Sequence, residues 1–211
     1  MKKIVNWLPL FIMFIASATV ISIYYFTNEN IDRIIILQLV ACAFVPAILP
    51  TLGLITKKRF PVIINFLITS HVLLANLGTA LGFYKFFWWW DLFLHGYFGL
   101  LCSVIVMGFL FSWNGKHLNK IGFFIIIFTF AMAGAALWEV FEYICDNLLG
   151  NDAQGVRNYV GGEGVPSPLA DTMEDIMITA VGVFVFYFAV FIDKLNGYTA
   201  CKSIYNAFKT E

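Results

Sequence analysis

Six long apolar stretches constrain this sequence more than any other feature. A helix that crosses a bilayer needs about 20 mainly apolar residues, because the hydrocarbon core is about 30 Å thick. The 211 residues are 61% hydrophobic and 12% charged, whereas soluble domains have about 25% charged residues. We therefore predict an all-α polytopic membrane protein, in which residues 1–211 form a single bundle of six transmembrane helices. The predicted helices are 4–26, 34–55, 60–84, 90–113, 121–145 and 171–193.

Two other interpretations of the apolar stretches are less favoured. A membrane β-barrel would show segments of about ten residues that alternate in polarity, and the sequence has none. The first stretch resembles a signal peptide, with a small-residue cleavage pattern at Ala16, Ser17 and Ala18. Its apolar run continues to Phe26, which is too long for an ordinary signal peptide. We interpret it as a retained first helix.

The basic residues are distributed unequally between the two sides of the predicted bundle. One side has ten of them, and the other has only Arg33, Lys85 and Arg157. The positive-inside rule then predicts that both termini are cytoplasmic and that the loop 147–170 lies outside. The formal net charge is zero, so nucleic acid is not an expected partner. The apolar composition makes the bilayer an expected partner. The ten are Lys2, Lys3, Lys57, Lys58, Arg59, Lys116, Lys120, Lys194, Lys202 and Lys209.

Acidic residues gather at the predicted outer ends of the last three helices. The fourth helix begins with the segment WWWDLFLHGYFG, the fifth ends with ALWEVFEYICD, and the sixth begins with ADTMEDIMITAVG. At about 100° per residue, Glu139, Glu142 and Asp146 occupy a stripe about 60° wide. Asp91 with His95, and Asp171 with Asp175, are each about 40° apart by the same arithmetic. Helices that follow one another usually pack side by side, so we expect these stripes to form one pocket. The polar residues concerned are Asp91, His95, Glu139, Glu142, Asp146, Asp171, Glu174 and Asp175.

Some of these acids have an explanation that involves no site. Asp171 and Glu174 suit a helix N-terminus, where the helix dipole favours negative charge, and Asp146 suits a solvated helix end. His95, Glu139 and Asp175 lie one or two turns inside the apolar boundary. A charge well inside the membrane costs at least about 2.5–3.5 kcal/mol, so such residues usually face a bundle interior and serve a function. We predict that these three are catalytic.

The negative charge of the acidic pocket must be neutralised, and this can happen in two ways. Several carboxylates can stay protonated, or a divalent cation can bind. Oxygen ligands with one imidazole favour Mg²⁺, Mn²⁺ or iron, and Zn²⁺ and Ca²⁺ remain alternatives. The pattern differs from ferritin-like di-iron sites, which need Glu-x-x-His on two helices. The predicted metal ligands are Asp91, His95, Glu139, Glu142, Asp171 and Asp175.

The longest loop, 147–170, is rich in Gly and Pro and follows the acidic end of the fifth helix. Loops of this length are often lids or binding loops. Arg157 is its one cation and is suited to bidentate binding of a phosphate or carboxylate, so we predict that it binds substrate. The loop has no phosphate-loop lysine signature, and no nucleotide cofactor is expected.

The three acidic segments, in this order and membrane context, resemble those of the YjdF-like bacterial inner-membrane proteins. This resemblance spans all six helices and implies a multi-pass protein of a bacterial plasma membrane, but it implies no reaction.

The chain is also similar, more distantly, to VanZ-like membrane proteins, which are associated with glycopeptide-antibiotic resistance. Asp91 and His95 match that family's first motif, Asp-x-x-x-His, and Asp175 matches its last acid. Glu139 matches its Glu-x-x-Gln, but Glu142 replaces the Gln. Arg157 matches the arginine of that family, although the loop that separates it from the other motifs is longer in this chain. Gly182 matches the final glycine, and Thr179 replaces its Asn.

Three functions remain open on these observations. The first is a metal-assisted hydrolase or transferase that acts on a lipid-linked or phosphorylated envelope substrate. The second is a non-catalytic protein that binds an envelope molecule, as the VanZ likeness implies. The third is an ion or solute transporter, which needs polar groups near the midplane. Only the third helix offers these, with Asn65, Ser70, His71 and Asn76, although a packed, hydrogen-bonded His71 is the favoured interpretation.

Overall fold

The computed structural model describes residues 7–27, 33–56, 60–112, 118–149, 153–154 and 167–208. Within these ranges all regular structure is helical and no β-strand occurs. Six helical segments of this part are long and apolar enough to cross a membrane, which confirms the predicted all-helical class and the six spans. These segments are Leu8–Thr27, Arg33–Ile55, Val62–Ala80, Trp90–Phe111, Lys120–Leu148 and Pro168–Leu195.

The described residues form nine α-helices and one 3₁₀ turn, Val45–Ala47. The helices are α1 Leu8–Thr27, α2 Arg33–Cys42, α3 Ile48–Thr56, α4 Val62–Ala80, α5 Phe83–Phe86, α6 Trp90–Ser112, α7 Lys120–Leu149, α8 Pro168–Leu195 and α9 Thr199–Phe208.

The second span is broken at its prolines. It consists of α2, the 3₁₀ turn and α3, with Pro46 inside the turn. Pro50 lacks the amide hydrogen that a continuous helix would direct to the carbonyl oxygen of Pro46. The side chain of Asn65, on α4, supplies the missing donor, with 2.8 Å from Nδ2 to that oxygen. This bond satisfies a buried carbonyl, as an apolar environment requires.

Several helix ends differ from the predicted positions by a few residues. The third span ends at Ala80 rather than at residue 84, because Gly82 turns the chain with a φ of 74° before α5 begins. The last span begins at Pro168 rather than at residue 171. Ser167 caps it by accepting a hydrogen bond from the amide of Ala170 at 3.1 Å, and Pro168 suits the first helical position.

The described residues fall into two compact units. The first lies within Met1–Trp90, Gly108–Asn114 and Gly197–Glu211, and the second within Asp91–Met107 and Gly115–Asn196. A buried apolar cluster from α1, α2 and α4 lies in the first unit, and α6, α7 and α8 supply the second. That cluster consists of Val20, Tyr24, Leu39 and Ala80.

Candidate functional site

Three ionisable side chains of the second unit meet at one point. Asp91 and His95 lie one turn apart on α6, and Asp175 lies on α8. Each can offer one ligand atom such that all three atoms lie within 4.8 Å of one another. The side chains of His95 and Asp175 are 7% and 3% exposed, whereas that of Asp91 is 39% exposed. The cluster is therefore buried on two sides and open beside Asp91.

Both carboxylates approach the same nitrogen of the imidazole. His95 Nε2 lies 3.8 Å from Asp91 Oδ1 and 3.6 Å from Asp175 Oδ2. These separations exceed an ordinary N–H···O hydrogen bond, which is about 2.7–3.2 Å long. Neighbouring ligands held at about 2.0–2.4 Å from one ion lie about 3–4 Å apart. The spacing therefore resembles two ligands of a shared cation more closely than a hydrogen-bonded pair.

Glycines bring α6 and α8 together beside this cluster. A Cβ atom on Gly99 would collide with the carbonyl oxygen of Thr179, and one on Gly182 would collide with that of Gly96. The close backbones also let Thr179 Oγ1 donate to the carbonyl oxygen of His95 at 3.3 Å. Because Asp175 precedes Thr179 by one helical turn, the same contact places its carboxylate beside the imidazole.

Glu139, on α7, is buried with 5% exposure, and its two carboxylate oxygens differ in their surroundings. Oε2 accepts a hydrogen bond from Gln154 Nε2 at 3.4 Å. Within the described part of the chain, Oε1 is buried and has no hydrogen-bond partner. The Glu139 charge also acts on the carboxylates of Asp91 and Asp175. A buried carboxylate oxygen of this kind is costly unless a cation or a proton donor reaches it.

Asp146 has a different role from the solvated helix end that its position predicts. It is 3% exposed, and its carboxylate accepts the amide hydrogens of Ala153 at 2.8 Å and Gln154 at 3.0 Å. It therefore folds these two residues back onto the end of α7. The sequence gives no signal for Gln154, because a single amide in an irregular loop belongs to no periodic pattern.

The remaining predicted ligands surround the cluster without belonging to it. Glu142 is half-buried and accepts a hydrogen bond from Trp138 Nε1 at 2.9 Å. Asp171 is half-buried in the first turn of α8, and Glu174 is exposed. The charges of Glu142 and Asp171 act on Asp175. Arg157 lies outside the described residues.

The arrangement concentrates negative charge around one imidazole. Four carboxyl groups lie near enough to Asp175 to repel its carboxylate when they are ionised: Asp91, Glu139, Glu142 and Asp171. Carboxylate oxygens with a single imidazole suit hard or borderline divalent cations, which would relieve this repulsion. The chemistry that the donor set can support is the polarisation of an oxygen ligand and the activation of water.

Comparison with known proteins identifies a family. A family model described as "Predicted membrane protein (DUF2238)" matches residues 8–194. This is the family of the YjdF-like proteins, so that resemblance is confirmed, whereas the likeness to VanZ-like proteins stays a prediction. A search of curated proteins and a search of solved structures found no match.

Proposed function

The chain belongs to the DUF2238 family of predicted membrane proteins, and from that premise we propose that it is a metal-dependent membrane enzyme. In this proposal it is a hydrolase or transferase that acts on a lipid-linked or phosphorylated molecule of the cell envelope. The observation that carries the proposal is the group Asp91, His95 and Asp175, with ligand atoms within 4.8 Å of one another.

Each residue of the site has a defined part in this proposal. Asp91, His95 and Asp175 would hold a divalent ion, with Mg²⁺, Mn²⁺ or iron favoured over Zn²⁺ or Ca²⁺. When bound, such an ion would supply the polarisation of an ester or phosphoryl oxygen and the activation of a water molecule. Glu139 accepts the proton that the attacking water releases, through its unpartnered Oε1. Glu142 and Asp171 complete the negative surroundings of the ion.

The exposure of Asp91 favours a substrate that reaches the site from the side of this residue. Asp91 has the only well exposed side chain of the three, so a substrate would reach the ion past it. We propose that this side faces the cell exterior from a plasma membrane whose cytoplasmic face carries both termini, in line with the basic-residue asymmetry. Arg157 would bind the anionic group of the substrate.

A genetic experiment with a matched pair of variants tests this function. Asp175→Asn removes a cluster carboxylate, and Glu174→Gln removes the exposed carboxylate next to it on the same helix. A strain without the gene should accumulate a lipid-linked or phosphorylated envelope molecule in a lipid-extract mass spectrum. Wild type and Glu174→Gln should restore the normal profile, and Asp175→Asn should not.

Biochemistry then separates catalysis from binding. Purified protein should convert the accumulated molecule when Mg²⁺ or Mn²⁺ is present, and a chelator should stop the conversion. If the protein binds that molecule without changing it, the non-catalytic capture function is the correct one. If Asp175→Asn restores the profile as well as Glu174→Gln does, the proposed site has no part in the function.

One feature of the first unit favours transport as a second candidate. The second span is discontinuous, and Asn65, Thr69 and Asn76 are buried along α4. Broken helices and buried polar groups within the bilayer are typical of transporters. Because Asn65 is already hydrogen-bonded to the broken segment, this candidate ranks second. Metal or solute flux into proteoliposomes would support it, and flux equal to that of empty vesicles would exclude it.

A further inference from the structure

Residues 153 and 154 form a short segment that is held by the carboxylates of Asp146 and Glu139. Asp146 accepts both backbone amide hydrogens, from Ala153 and from Gln154. Gln154 is itself 8% exposed, so its side chain is directed into the protein rather than into solvent. A loop residue that is buried and anchored in this way has a position fixed by the helix end.

The side chain of Gln154 connects two helices at the carboxylate site. Its Nε2 lies 3.1 Å from the carbonyl oxygen of Glu139 and 3.4 Å from Glu139 Oε2. The same nitrogen lies 3.4 Å from Thr172 Oγ1, on α8. Because one carboxylate oxygen of Glu139 is engaged by this amide, the other one, Oε1, is left without a partner in the described structure.

The amide side chain of Gln154 leaves the charge of Glu139 in place, which a basic side chain would not. A lysine or arginine would neutralise Glu139 and compete with a cation for it, whereas a glutamine amide donates a hydrogen bond and leaves the charge in place. Groups that hydrogen-bond to the carboxylates of a metal site orient them and tune the metal affinity.

We propose that Gln154 is a positioning residue, which holds Glu139 so that its free carboxylate oxygen faces the ion bound by Asp91, His95 and Asp175. This inference rests on the metal site of the proposed function. Through Asp146, it also makes the affinity for metal depend on how the segment 153–154 is held against α7.

Titration of the purified full-length protein with Mn²⁺, followed by electron paramagnetic resonance, tests this inference. Gln154→Ala should weaken Mn²⁺ binding by about 2- to 10-fold, less than the about 10- to 100-fold typical of a group that orients a direct ligand, because Glu139 acts on the ion through its charge. Asn147→Ala is the matched control, because Asn147 also donates a side-chain amide hydrogen near the end of α7, to the carbonyl oxygen of Tyr143, but is exposed. The control should bind Mn²⁺ as wild type does.

A double-mutant cycle distinguishes positioning from a general loosening of the fold. If Gln154 acts through Glu139, Gln154→Ala should cost little further affinity once Glu139→Gln is present, because the two changes remove the same interaction. Additive losses, or unchanged affinity in Gln154→Ala, would overturn the inference while leaving the metal site intact. No Mn²⁺ binding by wild type would instead overturn the proposed function, and the inference with it.

Discussion

At the scale of single residues, the two oxygens of Glu139 have different environments. Oε2 has the Gln154 amide as a donor, and Oε1 is buried without a hydrogen-bond partner among the described residues. Asp91 and Asp175 add charges of the same sign nearby. Crowded carboxylates repel one another when they are ionised and no cation lies between them, so we expect this group to destabilise the metal-free fold.

This environment predicts that Glu139→Gln raises the stability of the metal-free protein. Removal of one of several repelling charges should contribute about 1 kcal/mol, which corresponds to about 2–4 °C in the thermal midpoint of a chain of this size. The measurement is thermal unfolding in detergent with a chelator present. Added Mn²⁺ should raise the thermal midpoint of Glu139→Gln less than it raises that of wild type.

Glu174→Gln is the control for this prediction, because exposed charges usually change stability by less than about 0.5 kcal/mol. A lower midpoint for metal-free Glu139→Gln would contradict the prediction. It would show that the carboxylates form a hydrogen-bonded network that supports the fold.

At the scale of elements, the contact between α6 and α8 determines the geometry of the cluster. The missing side chains of Gly99 and Gly182 let each backbone approach a carbonyl oxygen of the other helix. Small residues at such contacts are typical of membrane helices, which lack a hydrophobic driving force between them. Asp175 and His95 face each other because of this approach.

Alanine at either glycine should therefore destabilise the protein by about 1–3 kcal/mol, the usual cost of overpacking, since a backbone carbonyl cannot move aside. Gly96→Ala is the matched control on α6, because its Cβ would lie at 3.4 Å from Ile178 Cγ2, an ordinary contact. Thermal midpoints of Gly99→Ala, Gly182→Ala and Gly96→Ala give the comparison. An equal loss of stability in all three would show that the close approach has no special importance.

Part of the fold and part of the candidate site could be predicted from the sequence alone. Apolar length predicted six spans because burial of the backbone in lipid leaves few alternatives to a long helix. Asp91, His95 and Asp175 could be predicted as neighbours because helical periodicity fixes which side chains share a face. The role of Asp146 and the presence of Gln154 at the site could not, because both depend on how an irregular segment folds back onto α7.

At the scale of the whole molecule, the six spans belong to a multi-pass membrane protein. With all six candidate spans of the described residues across the membrane, we expect both termini on the same side. The basic residues favour the cytoplasm for that side, since ten of the thirteen lie in segments assigned to it.

Single-cysteine labelling tests this orientation. In a variant without its four native cysteines, Gly155→Cys should react with an impermeant maleimide in intact cells. Native Cys201, retained alone, is the control and should react only after the membrane is opened. Cys201 lies in α9, after the last span. The reverse pattern would contradict the predicted orientation and would turn the carboxylate site toward the cytoplasm.

The metal content of the purified protein tests the central claim most directly. Elemental analysis should find about one divalent ion per chain in wild type and in Glu174→Gln, as a cluster with one set of converging ligands can hold one ion. Asp175→Asn, prepared in the same way, should contain little. Wild-type protein that contains no metal, and whose thermal midpoint does not respond to added Mg²⁺, Mn²⁺ or Zn²⁺, would contradict the claim. The carboxylates would then be neutralised by protons, and Asp91, His95 and Asp175 would form a hydrogen-bonded network rather than a metal site.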